Sequence, residues 1–165
     1  MAITKQKKVD IVAKLTDALA EAVSVVFVRF HKISVAETSA VRKALRAEGV
    51  SYYVAKKTLI RRALEAKGFT GEIPDMPGEI AIAWATTDDS TVAPRSIYAH
   101  AKKLKDALAI VGGVFDGSYF DASQMTAIAT IPPVPVLRGM FVNVINSPIQ
   151  GLVIALDKIR ETRSA

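Results

Sequence analysis

The chain has 165 residues, 50% of them hydrophobic and 23% charged, so its composition predicts a packed globular protein and excludes wholesale disorder. It contains no cysteine, which excludes disulfides, thiolate metal ligands and cysteine nucleophiles and fits a reducing cytoplasm. The net charge of +6 is unevenly spread: residues 1–67 carry 14 Lys or Arg against 6 Asp or Glu, whereas residues 68–131 carry 4 against 8. A basic first part predicts a polyanionic partner for one face of the protein.

Helical and strand periodicities alternate through the first 131 residues, beginning with a helix for which Thr4 is the predicted N-cap. Predicted helices cover residues 4–22, 34–48, 55–68, 89–106 and 122–130, and predicted strands cover residues 23–30, 50–54, 79–85 and 107–114. This order predicts an α/β fold: a sandwich domain with a mainly four-stranded sheet, flanking helices and crossover connections.

Three prolines within four positions, at residues 132–135, are expected to form a stiff extended connector. Beyond them, apolar residues recur at spacings of three and four, with Pro148 as a predicted kink between short segments 137–146 and 149–160. The predicted organisation is an α/β domain over residues 1–131, a proline-rich hinge over residues 132–136 and a C-terminal helical arm over residues 137–165.

Neither end of the chain predicts a membrane or export signal. The basic start lacks the apolar run and cleavage site of a secretory signal, and its acidic residues are atypical of a transit peptide. Residues 136–156 carry only one charge, but the Asn, Gln, Pro and Gly residues among them make a poor membrane span. We therefore expect a soluble protein.

Catalytic and metal-binding patterns are scarce. His31 and His100 are the only histidines, and neither has a partner at metal-ligand spacing. No Walker loop, GxGxxG or GxSxG motif occurs, and the Asp88-Asp89 pair is explained by capping of a helix start. The sequence predicts no enzyme, no metal and no cofactor.

Cationic side chains cluster on the outer faces of the first three helices. Lys57–Arg61 and Arg42–Arg46 are like-charged pairs four residues apart, and each costs about 0.2–0.5 kcal/mol in an isolated helix. The first turns of the first and third helices also carry lysines where the helix dipole favours anions. Bound phosphates would relieve both conflicts, whereas an ordinary solvated face is the alternative. The predicted residues for contact with RNA or DNA are Lys5, Lys7, Lys8, Arg42, Lys43, Arg46, Lys56, Lys57, Thr58, Arg61 and Arg62.

Aromatic residues lie near these cations. Phe30, Tyr52 and Tyr53 can stack on bases, although as strand residues they are better explained as half core. In the arm, apolar residues cover more than one side of a helix, which predicts a second partner; a core helix of the same globule is the alternative.

Several motifs in chain order resemble the L-ten family of ribosomal proteins, found at the base of the large-subunit stalk. The strongest is KKTLIRRAL at residues 56–64, which is similar to the family's K-N-T-L-L-R-R-A-L. Arg42, Leu45, Arg46 and Gly49 fit the preceding R-x-x-L-R-x-x-G helix. Further matches, over nearly the whole chain, are Gly78 with residues 81–83, GGVFDG at residues 112–117, IATIP at residues 128–132, and Ser147-Pro148 with residues 151–153 and 155–156.

The resemblance implies a cytoplasmic ribosomal scaffold without an active site. Its α/β domain would bind large-subunit ribosomal RNA beside the L-eleven protein. Its arm would carry dimers of the acidic stalk protein, of the L-seven/L-twelve type, which recruit translation GTPases. Two dimers suit the two short arm segments. The implied anchors are Leu137, Phe141, Val144 and Ile145 for the first dimer and Ile149, Leu152, Val153, Leu156 and Ile159 for the second.

Four positions depart from the family pattern. Lys57 replaces an Asn, and Glu79 replaces a Pro after Gly78. Lys32 replaces a turn glycine, which argues against a left-handed backbone there. The proline run at residues 133–135 replaces a polar helix start, so the arm is expected to begin later. The alternative function is an RNA-binding assembly or regulatory protein of the same fold without a stalk role.

Overall fold

A computed structural model describes residues 5–87, 89–104 and 107–164, without the side chains of Lys5 and Ser164. The predicted cap Thr4 and the first carboxylate of the Asp88-Asp89 pair lie outside the described residues. In chain order the elements are α1 (Lys5–Glu21), β1 (Ser24–Phe30), α2 (Val35–Ala47), β2 (Val50–Val54), α3 (Lys57–Lys67), β3 (Glu79–Ala85), α4 (Val92–Leu104), β4 (Leu108–Phe115), β5 (Ser118–Asp121), α5 (Ala122–Ala129) and α6 (Val134–Ser164).

The five strands form one sheet in the order β2-β3-β1-β4-β5, and every neighbouring pair is antiparallel. β1 and β2 are separated by β3, so the connection through α2 crosses over, as predicted. This places β2 at one edge of the sheet, directly between the two basic helices α2 and α3 in the chain.

The central strands are buried on both faces, and each face has its own core. Alternate residues of β1 divide between the two cores because successive strand side chains point to opposite faces. Val25 and Phe27 pack with α1 and α3, whereas Val26 and Val28 pack with α2, α4 and α5. The fold is therefore a sheet between two helical layers, which confirms the predicted α/β class.

Capping groups mark the start of α2 and the ends of α2 and α3. The Ser34 hydroxyl accepts the Glu37 N–H at 3.2 Å, while a Glu37 carboxylate oxygen accepts the Ser34 N–H at 2.9 Å, completing a capping box. Gly49 and Gly68 follow the last helical turns with φ of 75° and 67°, values that suit glycine. The left-handed glycines therefore end the two helices, and the chain continues into β2 after Gly49 and into a loop after Gly68.

The prediction of four main strands misses β5. A two-residue turn at Asp116-Gly117 reverses the chain into β5, whose four residues pair with β4. Gly112 and Gly113 lie inside the fourth strand, within its predicted bounds. Gly113 opposes Val26, where an added Cβ would overlap Met125 Cε and the backbone oxygen of Val25. The glycine therefore permits a close approach rather than a turn.

Lys32 is left-handed, with φ of 51°, although its side chain argued against that conformation. Its neighbours explain the outcome. The chain must turn between the end of β1 and the Ser34 cap, and Lys32 is exposed, so no neighbouring atom crowds its side chain. The strain of a left-handed non-glycine residue therefore costs less than losing the turn that leads from β1 to the Ser34 cap.

The C-terminal helix α6 is longer and less interrupted than predicted. It begins at Val134 because Pro135 lies in its first turn, where a missing N–H costs no helical hydrogen bond. It continues through Pro148 as one helix of 31 residues, so the two separate arm segments are wrong as secondary structure. The chain forms two compact units, Met1–Ile131 and Pro132–Ala165.

Replacing Gly113 with alanine is expected to destabilise the domain by about 1–3 kcal/mol, because the new methyl overlaps a backbone oxygen in a packed core. Urea unfolding followed by the fluorescence of Trp84 measures this loss. Gly139→Ala is the matched control, because no atom lies within 4 Å of its added Cβ. Equal urea midpoints for the two variants would contradict the close-approach role.

Replacing Ser34 with alanine is expected to cost about 1 kcal/mol, because it removes the cap of α2. The hydrogen bonds from Ser34 lower the pKa of Glu37, so their stabilisation is present at neutral pH and is lost as acid protonates the carboxylate. The difference between wild type and Ser34→Ala should therefore shrink below the ordinary glutamate range in urea titrations at several pH values.

Ser39→Ala on the same helix is the control for the cap, because the Ser39 hydroxyl donates only to the Val35 carbonyl within the helix. A constant difference between wild type and Ser34→Ala across the acid range would show that the Glu37 carboxylate plays no part in the cap.

Candidate nucleic-acid interface

The predicted cationic residues fall into two groups on opposite faces of the sheet. α1 and α3 carry one group, because their apolar sides pack on one core. α2 carries the other, because Val41 and Leu45 turn toward the second core. The chain passes from α2 to α3 through β2, which is an edge strand of the sheet. All predicted RNA-binding side chains that the structure describes are exposed: Lys7, Lys8, Arg42, Lys43, Arg46, Lys56, Lys57, Thr58, Arg61 and Arg62.

Between α1 and α3 lies a hollow of about 410 Å³. Lys8 and Arg62 line it together with apolar residues of both helices, so packing brings together cations 54 positions apart in the chain. A surface with an apolar floor and cationic walls suits the sugar and phosphate groups of a nucleic acid backbone.

A second hollow, of about 680 Å³, lies at the start of α3. Lys56, Lys57 and Thr58 line it beside Phe30 and Val54 at the strand ends. Lys56 is the N-cap of α3 without a side-chain cap hydrogen bond, and the first turn of α3 contains no acidic residue. The dipole of α3 is therefore left uncompensated by the chain itself.

Lys57 makes a structural contact that no sequence pattern indicates. Its Nζ donates to the Met76 carbonyl oxygen at 3.4 Å, across the loop between α3 and β3. Because Met76 is buried in the core, this hydrogen bond connects the helix start to a fixed point. Lys57 therefore has a local partner, whereas Arg61 and Arg62 have none among the described residues.

On the other face, a cation of α2 lies over an aromatic ring of β2. The Arg42 guanidinium carbon lies 5.8 Å from the centre of the Tyr52 ring, within cation–π range. Burial raises the pKa of Tyr52, so its phenol stays neutral well above physiological pH. Arg42 and Arg46 also line a hollow of about 240 Å³ with Tyr53 and Trp84.

The described cations of α1, α2 and α3 have no counter-ion within residues 5–87, 89–104 and 107–164. The ion pairs in that part of the chain lie elsewhere and include Arg95–Asp89 and Arg160–Asp157. None of the predicted RNA-binding side chains described by the structure joins an ion pair. The basic surface is thus available for an external anion.

Residues with catalytic chemistry are engaged in structure. An Asp89 carboxylate oxygen accepts the N–H and the hydroxyl of Thr91, at 2.9 and 2.7 Å, just before α4. These hydrogen bonds, led by the one from the hydroxyl, lower the pKa of Asp89. No cluster of three metal-binding side chains occurs among the described residues.

The apolar side chains of α6 are exposed, including every predicted stalk-protein anchor. Their exposed fractions range from 39% for Leu137 to 70% for Val144. By length and composition α6 is apolar enough to cross a membrane, with a mean hydropathy of 1.5, although the sequence suggested a poor span. A single helix of this kind is weak support for a membrane location, because helices of water-soluble proteins pass the same test.

Sequence reasoning found the cations but missed their surroundings. The pairing of Arg42 with Tyr52 and the inclusion of Trp84 both depend on sheet order, which no local pattern reveals. The strand period of two is the sequence signal for these contacts, because it places Tyr52 and Tyr53 on opposite faces of their strand.

Comparison with known proteins supports one family over most of the chain. The family model described as Ribosomal protein L10 matches residues 3–103. The chain is 34% identical to "Large ribosomal subunit protein uL10" of Staphylococcus carnosus, covering 96% of this chain and 94% of that protein. The proteins of the same name from Macrococcus caseolyticus and Shouchella clausii are 34% and 32% identical, covering 95% and 96% of this chain and 88% and 94% of theirs. A family match over more than half of the chain, with relatives of similar length, means that this chain belongs to the ribosomal protein L10 family.

Proposed function

We propose that this protein is a scaffold at the base of the ribosomal stalk. Family membership makes it a structural protein of the large ribosomal subunit that works with the ribosome in the cytoplasm. In the proposed role, its α/β domain binds large-subunit ribosomal RNA beside the L-eleven protein. Its C-terminal helix carries dimers of the acidic stalk protein, which in turn recruit translation GTPases.

The observation that carries the RNA proposal is the uncompensated charge of the first three helices. Ten exposed polar or cationic side chains on α1, α2 and α3 and at the N-cap of α3 make no ion pair with the described part of the chain. Of these three helices, α1 and α3 begin without acidic residues in the first turn. RNA phosphates would supply the missing anions to the side chains and to the free backbone N–H groups together.

The stalk proposal is supported by the exposed apolar face of α6. At about 1.5 Å per residue, its 31 residues extend roughly 46 Å, which is room for two dimers side by side. Its apolar residues recur at spacings of three and four on more than one side, as expected of a helix that joins others in an assembly. The acidic dimers also complement a protein with a net charge of +6.

For RNA binding, Arg61→Ala/Arg62→Ala is expected to weaken affinity for a stalk-base ribosomal RNA fragment and to flatten its salt dependence. Each phosphate contact contributes about 0.9 to the slope of log K against log salt, so the slope should fall by up to about 1.8. Filter binding over a salt series measures both quantities.

Lys102→Ala/Lys103→Ala is the matched control for this double variant, because it removes the same charge from the exposed end of α4. A scrambled duplex of equal length controls for general polyanion binding. Equal losses in the two double variants, or equal affinity of the wild type for fragment and scramble, would count against the RNA proposal.

For the stalk, native mass spectrometry of the full chain with the acidic stalk protein is expected to show two bound dimers. Phe141→Asp and Leu152→Asp should each remove one dimer, because each places a charge on an anchor of a different half of α6. Gln150→Asp adds the same charge at an exposed polar position and should leave both dimers bound. Three dimers on the wild type would refute the stoichiometry, and none would favour the assembly-factor alternative.

A further inference from the structure

We infer that a hollow between α2 and the sheet is a pocket for one unpaired nucleobase of the bound RNA, held under the stacked pair Arg42–Tyr52. The inference rests on the proposed RNA binding and adds to it a site for a base. It concerns a face of the domain opposite the α1–α3 hollow, so it can fail while phosphate binding by α3 stands.

The hollow has a volume of about 200 Å³ and lies beneath the start of α2. Five apolar side chains from β1, β2, β4, α2 and the loop before α2 form most of its lining: Phe30, Ile33, Val41, Val54 and Leu108. A cavity of about 150 Å³ with an apolar lining accepts a benzene molecule. The hollow therefore has room for one flat ring system but not for several side chains of a peptide.

The rim supplies the groups that distinguish a base from a plain apolar ring. Arg42 lines the pocket and stays exposed; its guanidinium carbon lies 5.8 Å from the centre of the Tyr52 ring, and it makes no side-chain hydrogen bond or ion pair with the described residues. Its guanidinium N–H donors are thus unoccupied and can reach a base edge or a phosphate. Stacking of unpaired bases on aromatic rings and on guanidinium planes is how proteins select single-stranded parts of RNA.

The position of the pocket favours RNA over a protein side chain. Lys43 and Arg46 lie on the exposed side of the same helix, so a phosphate chain leaving the pocket meets cations. Phe30 and Val54 line both this pocket and the larger hollow that contains Lys56 and Lys57. One RNA strand can therefore follow the end of β2 from α3 to α2 and insert a base between them.

Filling the pocket tests the inference directly. Val54→Trp puts a large ring at a half-exposed lining position, and Val35→Trp is the matched control, because Val35 is 84% exposed and does not line the pocket. The full-length variants are titrated with the stalk-base ribosomal RNA fragment over a salt series. Val54→Trp should bind about tenfold more weakly with an unchanged salt slope, because a stacking contact is lost and no phosphate contact is. Val35→Trp should bind like the wild type.

Arg42→Lys keeps the positive charge but removes the planar guanidinium group. It tests the pocket independently if Val54→Trp does not fold. It should also bind several-fold more weakly at constant salt slope, whereas Arg46→Lys should not. In fragments carrying 2-aminopurine at single unpaired purine positions, one position should change fluorescence with the wild type and not with Val54→Trp.

The outcomes separate the two proposals. Wild-type affinity for the fragment in both Val54→Trp and Arg42→Lys would overturn the base pocket and leave the RNA proposal standing. Unchanged RNA affinity combined with poor incorporation of Val54→Trp into large subunits would show that a protein side chain occupies the pocket, which also overturns it. Equal affinity of the wild type for the fragment and the scrambled duplex would overturn both the RNA proposal and the base pocket.

Discussion

Burial of the two central strands on both faces is the constraint on which the rest of the domain depends. β1 and β3 leave no solvent-facing side, so each face needs its own helical cover. Three alanines of β3, Ala81, Ala83 and Ala85, point to the core shared with α2, α4 and α5, whereas Ile80 and Ile82 point to the other. The small alanine side chains lie on the face covered by three helices, and the larger isoleucine side chains lie on the face covered by two. This difference keeps both layers close-packed.

The same constraint explains where the charge goes. Once α1, α2 and α3 have turned their apolar sides toward the sheet, their lysines and arginines have only the outer surface left. Both α2 and α3 connect directly to β2 in the chain, and β2 is an edge strand of the sheet. The charge concentration is thus a product of topology, and its repulsion is the cost that an RNA partner would offset.

Local chemistry made most of the elements predictable. The bounds of β2 and β3 follow from β-branched and aromatic runs, and the ends of α2 and α3 follow from Ser34, Gly49 and Gly68. The need for glycine at position 113 is not visible in any local pattern, because it comes from Met125 and the backbone of Val25, which approach from other elements.

Strand β5 and the start of α6 differ from the predictions, although the sequence contains a signal for each. Asp116-Gly117 is a hairpin turn pattern, yet the four residues of β5 that follow it are too few to show a period. Prolines were treated as helix breakers wherever they occur, although Pro135 lies in a first turn and is tolerated there. The cationic residues of the candidate site were predictable from spacing, but the ring beside Arg42 was not, because their contact depends on strand pairing.

The exposed apolar surface of α6 links the survival of the protein to its assembly. A helix with so many solvated Leu, Ile, Val and Phe side chains attracts other apolar surfaces and offers proteases an accessible segment. A partner that covers it binds the native chain, and by mass action protects it in proportion to the partner's free concentration. On the proposed function, copies made in excess of the stalk protein are therefore the first to aggregate or be degraded, so the abundance of this protein would follow the supply of that partner.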